Sequence, residues 1–132
     1  MEKRVQVAAA VIEDGGRILL SSRPAGRELA GLMEFPGGKL EKGESAADAL
    51  RRELQEELGL TSVHVLDELW RAFYRTPGRI LEIIFLRCRL VPGADVHPCE
   101  GQEIKWVLRE DVRKEPLPPA DYEVAEWLGG FF

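Results

Sequence analysis

GGKLEKGESAADALRRELQEELGL, at residues 37–60, joins a glycine turn to a predicted amphipathic helix. Arg52 is followed there by Glu53, Glu56 and Glu57, and the three acids lie at i, i+3 and i+4, so they share one helical face. Like charges at that spacing repel, and folding alone does not require them. Carboxylate and carbonyl oxygens suit Mg²⁺ or Mn²⁺. The stretch therefore predicts a site for a hard divalent cation.

The ends of this helix are marked in the sequence. Ser45 and Asp48 have the spacing of a capping box, and Gly59 is well placed to end the helix. Leucines at every fourth position form a buried stripe opposite the acids; they are Leu50, Leu54 and Leu58. A competing interpretation is a solvated helix face on which Arg52 pairs with Glu56.

The rest of the chain reads as strands with a second helix near the end. Two hairpins, one further strand and the closing helix are predicted at Val5–Ile12 with Arg17–Ser22, Val63–Tyr74 with Arg79–Leu90, Ile104–Leu108 and Asp121–Leu128. The aromatic residues of the second hairpin, Trp70, Phe73 and Tyr74, are expected in the core. This mixture predicts an α/β (mixed α+β) architecture in which helices pack on a sheet.

Composition limits the classes of function. At 132 residues, with 45% apolar residues, residues 1–132 are expected to form a single domain. A net charge of -5 without a basic block disfavours binding to nucleic acid polymers. No signal peptide or membrane span is predicted. Cys88 and Cys99 lack metal-ligand spacing and are expected to be free buried thiols, so a cytoplasmic location is predicted.

The stretch at residues 38–60 resembles the Nudix box, G-x5-E-x7-R-E-U-x-E-E-x-G-U with U apolar. Every defined position is filled, by Gly38, Glu44, Arg52, Glu53, Leu54, Glu56, Glu57, Gly59 and Leu60. The flanking strands and the last helix look like the MutT-type subgroup, which hydrolyses nucleoside triphosphates to monophosphate and pyrophosphate. The resemblance implies a Nudix-type α/β/α sandwich with a mixed sheet.

The resemblance also implies roles for the box residues. Glu53, Glu56 and Glu57 would ligate the metal, together with the backbone carbonyl of Gly37. Arg52 would hold a carboxylate in place, so that it belongs to the catalytic set although it touches no metal. The other motif residues would be structural: Gly38 permits the turn, Glu44 braces the loop against the helix, and Gly59 ends the helix.

Outside the box, the subgroup takes one more glutamate from a loop as metal ligand and possible general base. Glu100, in CEGQEIKW, matches that position, and Glu103 is its competitor. Arg23 corresponds to an arginine that grips phosphate. Glu28 departs from MutT, which has a histidine there.

Phe35 and Asp121 are predicted to read the base. Asp121 stands where MutT has asparagine, and an ionised aspartate only accepts hydrogen bonds. It would suit guanine N1–H and N2–H₂, or the cytosine amino group. The alternative role for Asp121 is a plain N-cap.

For an enzyme of the MutT type, the favoured substrate is an oxidised guanine nucleotide such as 8-oxo-dGTP, whose removal from the precursor pool would prevent misincorporation and so serve DNA repair. A CTP-type pyrophosphohydrolase is the near alternative, and ADP-ribose or dinucleoside polyphosphates are a third. A nucleotide-sensing Nudix module without catalysis is the alternative from another class. A monomer and a homodimer are both compatible with the sequence.

Overall fold

The structure, a computed structural model, describes residues 2–23 and 31–130. Its strands and helices follow in the order β1 (Lys3–Asp14), β2 (Arg17–Ser22), β3 (Met33–Glu34), β4 (Gly37–Lys39), α1 (Ala46–Leu58), β5 (Val63–Thr76), β6 (Arg79–Leu90), β7 (Ile104–Leu108) and α2 (Tyr122–Leu128). Short 3₁₀ helices at Arg109–Lys114 and Pro119–Asp121 precede α2. The predicted hairpins, the strand β7 and both helices are confirmed.

Strand β1 is the centre of a mixed sheet. It runs parallel to β6, from the pair Lys3 and Arg79 to the pair Ile12 and Cys88, and antiparallel to β4 on its other edge. Strand β5 pairs antiparallel with β6, and the end of β1 pairs with β2, which also pairs with β3 and β7. The parallel pairing of β1 with β6 among otherwise antiparallel pairs of the described strands makes the sheet mixed.

Helices cover both faces of this sheet. On one face, alternate β1 residues such as Ala8 and Ala10 pack against the leucine stripe of α1. On the other face, Val11 and Phe85 pack against the 3₁₀ helix at residues 109–114 and against α2. Because β1 is covered on both sides, its buried run from Ala8 to Ile12 is continuous rather than alternating. The predicted α/β/α sandwich is confirmed.

Local signals account for the limits of α1. Ser45 has an extended backbone, and its hydroxyl accepts a hydrogen bond from the Asp48 N–H at 3.1 Å. Gly59 is left-handed at φ 60°, and its N–H closes the last turn on Gln55 and Leu54. Helix α2 begins at Tyr122, one residue later than predicted, because Pro119–Asp121 forms a tighter 3₁₀ turn.

Some residues expected in the core are exposed. Phe73 and Tyr74 have 59% and 40% of their surface accessible, and both lie on β5, the edge strand of the sheet order. Trp70 does pack inward, with its ring 6.0 Å from that of Trp127. Cys88 is buried and Cys99 is exposed, and both are free, so the expected burial of Cys99 is wrong.

None of the helices in residues 2–23 and 31–130 has the length and apolar character needed to cross a bilayer.

Candidate active site

Two glycines bring β4 close to its neighbours. Gly37 and Gly38 pair with Ala9 and Ala8 of β1. A β-carbon on Gly37 would overlap the carbonyl oxygen of Ala8, and one on Gly38 would overlap the carboxylate of Glu53. Gly37 is therefore required by the close approach of the backbone, and Gly38 leaves the space that the Glu53 carboxylate occupies.

Arg52 connects the loop before α1 to the acidic face of the helix. Its guanidinium donates twice to the carboxylate of Glu44, both at 2.9 Å, and also to Glu53 at 2.8 Å and to the carbonyl of Lys39 at 3.0 Å. The hydrogen bonds from Arg52, and then from the Glu41 N–H, lower the pKa of Glu44 to about 2. Glu44 is thus placed to brace the loop, and Arg52 is placed to orient Glu53.

The helix pair Arg52–Glu56, which the competing interpretation of the helix required, is a longer contact of 3.7 Å. Glu56 is otherwise exposed, with 58% of its side chain accessible. The shorter bonds of Arg52 go to Glu44 and Glu53, so pairing along the helix does not account for this arginine.

Glu57 lies where several acids meet. Burial raises its pKa to about 8, with further increases from the charges of Glu53, Glu100 and Glu34 and an opposing effect from the N–H of Gly37. Taking up a divalent cation would relieve this repulsion, and the donors are all oxygens. Together with the space that Gly38 leaves for Glu53, this donor set fits a hard cation.

In the described part of the chain, no three acidic, histidine or cysteine side chains converge closely enough to hold an ion as they stand. Arg52 holds the Glu53 carboxylate, and Glu56 points into solvent.

The structure places Glu100 and Glu103 in different surroundings. Glu100 is near enough for its charge to act on Glu57. Glu103 exchanges hydrogen bonds with Ser22, at 2.8 and 2.9 Å, and its charge acts on Lys105. This geometry favours Glu100 as the additional member of the acidic cluster.

Glu34 is a site residue that the sequence analysis missed. Its carboxylate accepts a hydrogen bond from Arg23 at 2.7 Å, and its charge raises the pKa of both Glu57 and Asp121. It therefore lies between the acidic cluster and the predicted base-reading residues. The available signal was an acid inside the otherwise apolar segment LMEF. Glu28 falls outside the described residues.

Asp121 is buried, with 6% of its surface exposed, and its side chain makes no capping bond to α2. Burial, followed by the charge of Glu34, raises its pKa to about 8, while the N–H of Phe35 and the charge of Arg23 act in the opposite direction. The raised pKa favours the protonated carboxyl at pH 7, in contrast to the ionised, accept-only Asp121 that the sequence analysis expected. A protonated carboxyl both donates and accepts.

Phe35 reaches this region through its backbone. Its ring is 4% exposed and packs edge-on against Phe85, with the ring centroids 5.5 Å apart. Its N–H is the group that bonds to Asp121. The side chain is thus part of the core beneath the site.

Known proteins resemble this chain in sequence. The sequence model of the NUDIX domain matches residues 2–128. The chain is 42% identical over 127 residues to a CTP pyrophosphohydrolase of Escherichia coli, covering 94% of this chain and 90% of that protein. It is 36% identical over 129 residues to an 8-oxo-dGTP diphosphatase of Haemophilus influenzae, covering 96% and 93%.

Solved structures resemble it over nearly the whole chain. The solution structure of the E. coli ORF135 protein has a TM-score of 0.81 at 38% identity, covering 95% of this chain and 88% of that one. The crystal structure of a MutT protein from Methanosarcina mazei Go1 has a TM-score of 0.82 at 25% identity, covering 98% and 96%. With the box, the sandwich and these relatives in agreement, the chain belongs to the Nudix family and is a pyrophosphohydrolase that acts on phosphorus anhydrides.

Proposed function

We propose that this protein hydrolyses a nucleoside triphosphate to the monophosphate and pyrophosphate, with Mg²⁺ or Mn²⁺ as cofactor. The crowding of acids around Glu57 carries this proposal, because an acidic site repels a polyphosphate unless a cation is shared between them. Glu53, Glu56, Glu57, Glu100 and the carbonyl of Gly37 would hold the cation. When bound, such an ion neutralises phosphate charge and activates water.

The chain's own residues then orient the reactants. Arg52 would fix the orientation of the Glu53 carboxylate through their 2.8 Å hydrogen bond. Glu53 or Glu100 would take the proton of the attacking water. Attack at the β-phosphorus releases the monophosphate and leaves pyrophosphate. Arg23 would contact a phosphate, and since its guanidinium bonds to Glu34 at 2.7 Å, that carboxylate would keep it oriented.

Asp121 would read the base in its protonated form. A neutral carboxyl matches an edge with one donor and one acceptor, such as cytosine N4–H₂ and N3. The two neighbouring donors of guanine, N1–H and N2–H₂, suit an ionised carboxylate and match the neutral carboxyl less well. We therefore place cytosine nucleotides first, in line with the relative that is a CTP pyrophosphohydrolase.

8-oxo-dGTP is the second candidate. Its N7–H and O6 also present a donor beside an acceptor, and relatives 36% and 34% identical are 8-oxo-dGTP diphosphatases. The two substrates are separated by a panel of CTP, dCTP, UTP, GTP, 8-oxo-dGTP and ADP-ribose, with release of pyrophosphate measured. Preference for 8-oxo-dGTP would reverse the ranking. Failure of every triphosphate, with Glu57→Gln as the inactive reference, would overturn the proposed reaction.

The base-reading role of Asp121 has its own test. Asp121→Asn keeps a donor and an acceptor at every pH, whereas Asp121→Ala keeps neither. We expect kcat/KM for CTP to fall in the parent as pH rises through about 8, and to hold in the asparagine variant. Equal impairment of the two variants at pH 7 would contradict the assignment.

We further propose that residues 1–132 act as one catalytic domain, as a monomer or a homodimer, in the cytoplasm, where nucleotide precursors are found. Gel filtration distinguishes the two assembly states.

A further inference from the structure

The segment from His97 to Gln102 is attached to the C-terminal end of α1. The last carbonyls of a helix have no partner within the helix. Here the N–H of His97 donates to the carbonyl of Leu58, and the N–H of Cys99 donates to that of Glu57, both at 2.9 Å. The segment that carries Glu100 is therefore an external cap of the helix that carries the acidic cluster.

The side chain of Gln102 adds a second connection. It is buried, with 8% of its surface exposed. Its amide nitrogen donates to the carbonyl of Glu57 at 2.8 Å, and its amide oxygen accepts from the N–H of Glu100 at 2.8 Å. One partner needs a donor and the other needs an acceptor, so both functions of the amide are used in a single orientation.

We propose that Gln102 is a positioning residue that holds Glu100 beside Glu57 by linking the backbones of these two residues. The inference rests on the proposed function, in which Glu100 serves the reaction. Glu100 itself lies in a loop outside the sheet and the helices, next to the left-handed Gly101 at φ 72°. Its position relative to α1 therefore depends on bonds of this kind.

The far side of the loop is held independently. The N–H of Ser22 donates to the carbonyl of Glu103, and the N–H of Glu103 donates to the hydroxyl of Ser22. Loss of the Gln102 amide would leave these bonds to β2 and the Cys99–Glu57 bond in place. The protein should therefore still fold without the Gln102 amide, but Glu100 would no longer be held in place relative to α1.

The test replaces Gln102 with leucine, which has a similar volume and no hydrogen-bonding group. We expect kcat on the preferred triphosphate to fall between about tenfold and a hundredfold, with KM changed by less than about threefold. Ser45→Ala is the matched control: it removes the 3.1 Å cap at the other end of α1 and leaves residues 97–102 untouched, so kcat should stay near the parent value. A rise in KM with an unchanged kcat in Gln102→Leu would contradict the proposal.

A double-mutant cycle asks whether Gln102 acts through Glu100. Gln102→Leu should slow the parent but have no further effect in a Glu100→Gln background. If the two losses multiply instead, the proposed route through Glu100 is wrong.

Amide hydrogen exchange supplies a readout that needs no turnover. In the protein without nucleotide or metal, the Glu100 amide should exchange at least about tenfold faster in Gln102→Leu than in the parent or in Ser45→Ala. Unchanged exchange would contradict the positioning role even if the enzyme is active. Absence of turnover in the parent, with faster exchange in the variant, would instead overturn the proposed function and leave the backbone link established.

Discussion

Replacing Asp121 with asparagine should make the protein's stability less dependent on pH. The folded carboxyl has its pKa raised from 3.8 to about 8, chiefly by burial. A raised pKa favours the neutral form, so the stability that it contributes is complete below pH 3.8 and is lost as pH rises towards about 8. Asparagine has nearly the same shape and no proton to lose, and its side-chain oxygen can still accept from the N–H of Phe35.

The magnitude follows from linkage. Each pH unit between the two pKa values changes the free energy of unfolding by about 1.4 kcal/mol. From pH 5 to pH 7, the stability of Asp121→Asn relative to the parent should therefore rise by about 3 kcal/mol at most. That is a large part of the roughly 5–15 kcal/mol that stabilises an ordinary domain.

Urea unfolding at pH 5, 6 and 7 measures this difference directly. The other acids, Glu57 included, titrate in both proteins and cancel when the two are compared. Asp95→Asn, at an exposed loop position, controls for the loss of an aspartate. A stability difference between Asp121→Asn and the parent that is constant from pH 5 to pH 7 would refute the assignment of a protonated, buried acid.

Three further predictions concern the acidic cluster. Burial and neighbouring charges raise the pKa of Glu57 to about 8, so below that pH a bound cation must displace a proton, and the affinity for Mn²⁺ should rise about tenfold from pH 6 to pH 7. Electron paramagnetic resonance of free Mn²⁺ measures this affinity. An affinity that stays constant over this range would contradict the prediction. Gly38→Ala should lower kcat by about a hundredfold or more, because its β-carbon would overlap a carboxylate of the cluster. Gly43→Ala, with open space around the added carbon, should retain activity and lose only about 1–2 kcal/mol of stability to its left-handed backbone; similar activities in the two variants would be the contrary result. Arg52→Lys keeps the charge but loses the two-pronged contact, so kcat should drop at least about tenfold, whereas Arg51→Lys, on the exposed side of the helix, should be neutral; equal activity of the two lysine variants would argue against the orienting role.

Local features of the sequence predict those parts of the structure that are determined by residues close together in the chain. Ser45 and Gly59 fix the ends of α1 because capping acts within one turn. The pairing of β1 with β6 is not predictable in this way, since its register is set by contacts between distant segments. The residue pattern therefore indicates helices packed on a sheet, and the family resemblance implies that the sheet is mixed, but neither gives the strand register.

The same distinction holds for the candidate site. The resemblance implies that Arg52 holds a carboxylate, and the structure shows it bonded to Glu53 at 2.8 Å. Helical spacing alone indicates the pair Arg52–Glu56, which is the longer contact. The protonation of Asp121 depends on its depth and on the charge of Glu34, neither of which a linear pattern reveals. The link through Gln102 likewise joins the loop of Glu100 to the end of α1, and only the folded chain brings these two segments together.

The parallel pairing of β1 with β6 has a consequence for how the chain folds. Strands β5 and β6 meet across the short turn at Pro77 and Gly78, so this hairpin can form early. The parallel pairing of β1 with β6 forms later, because Lys3 pairs with Arg79, far along the chain. During synthesis the apolar run from Val7 to Ile12 emerges well before β6, so the edge that pairs with β6 stays open until residues 79–88 have been made, even if β4 already pairs on the other edge. This open apolar edge is a segment that nascent-chain chaperones would engage.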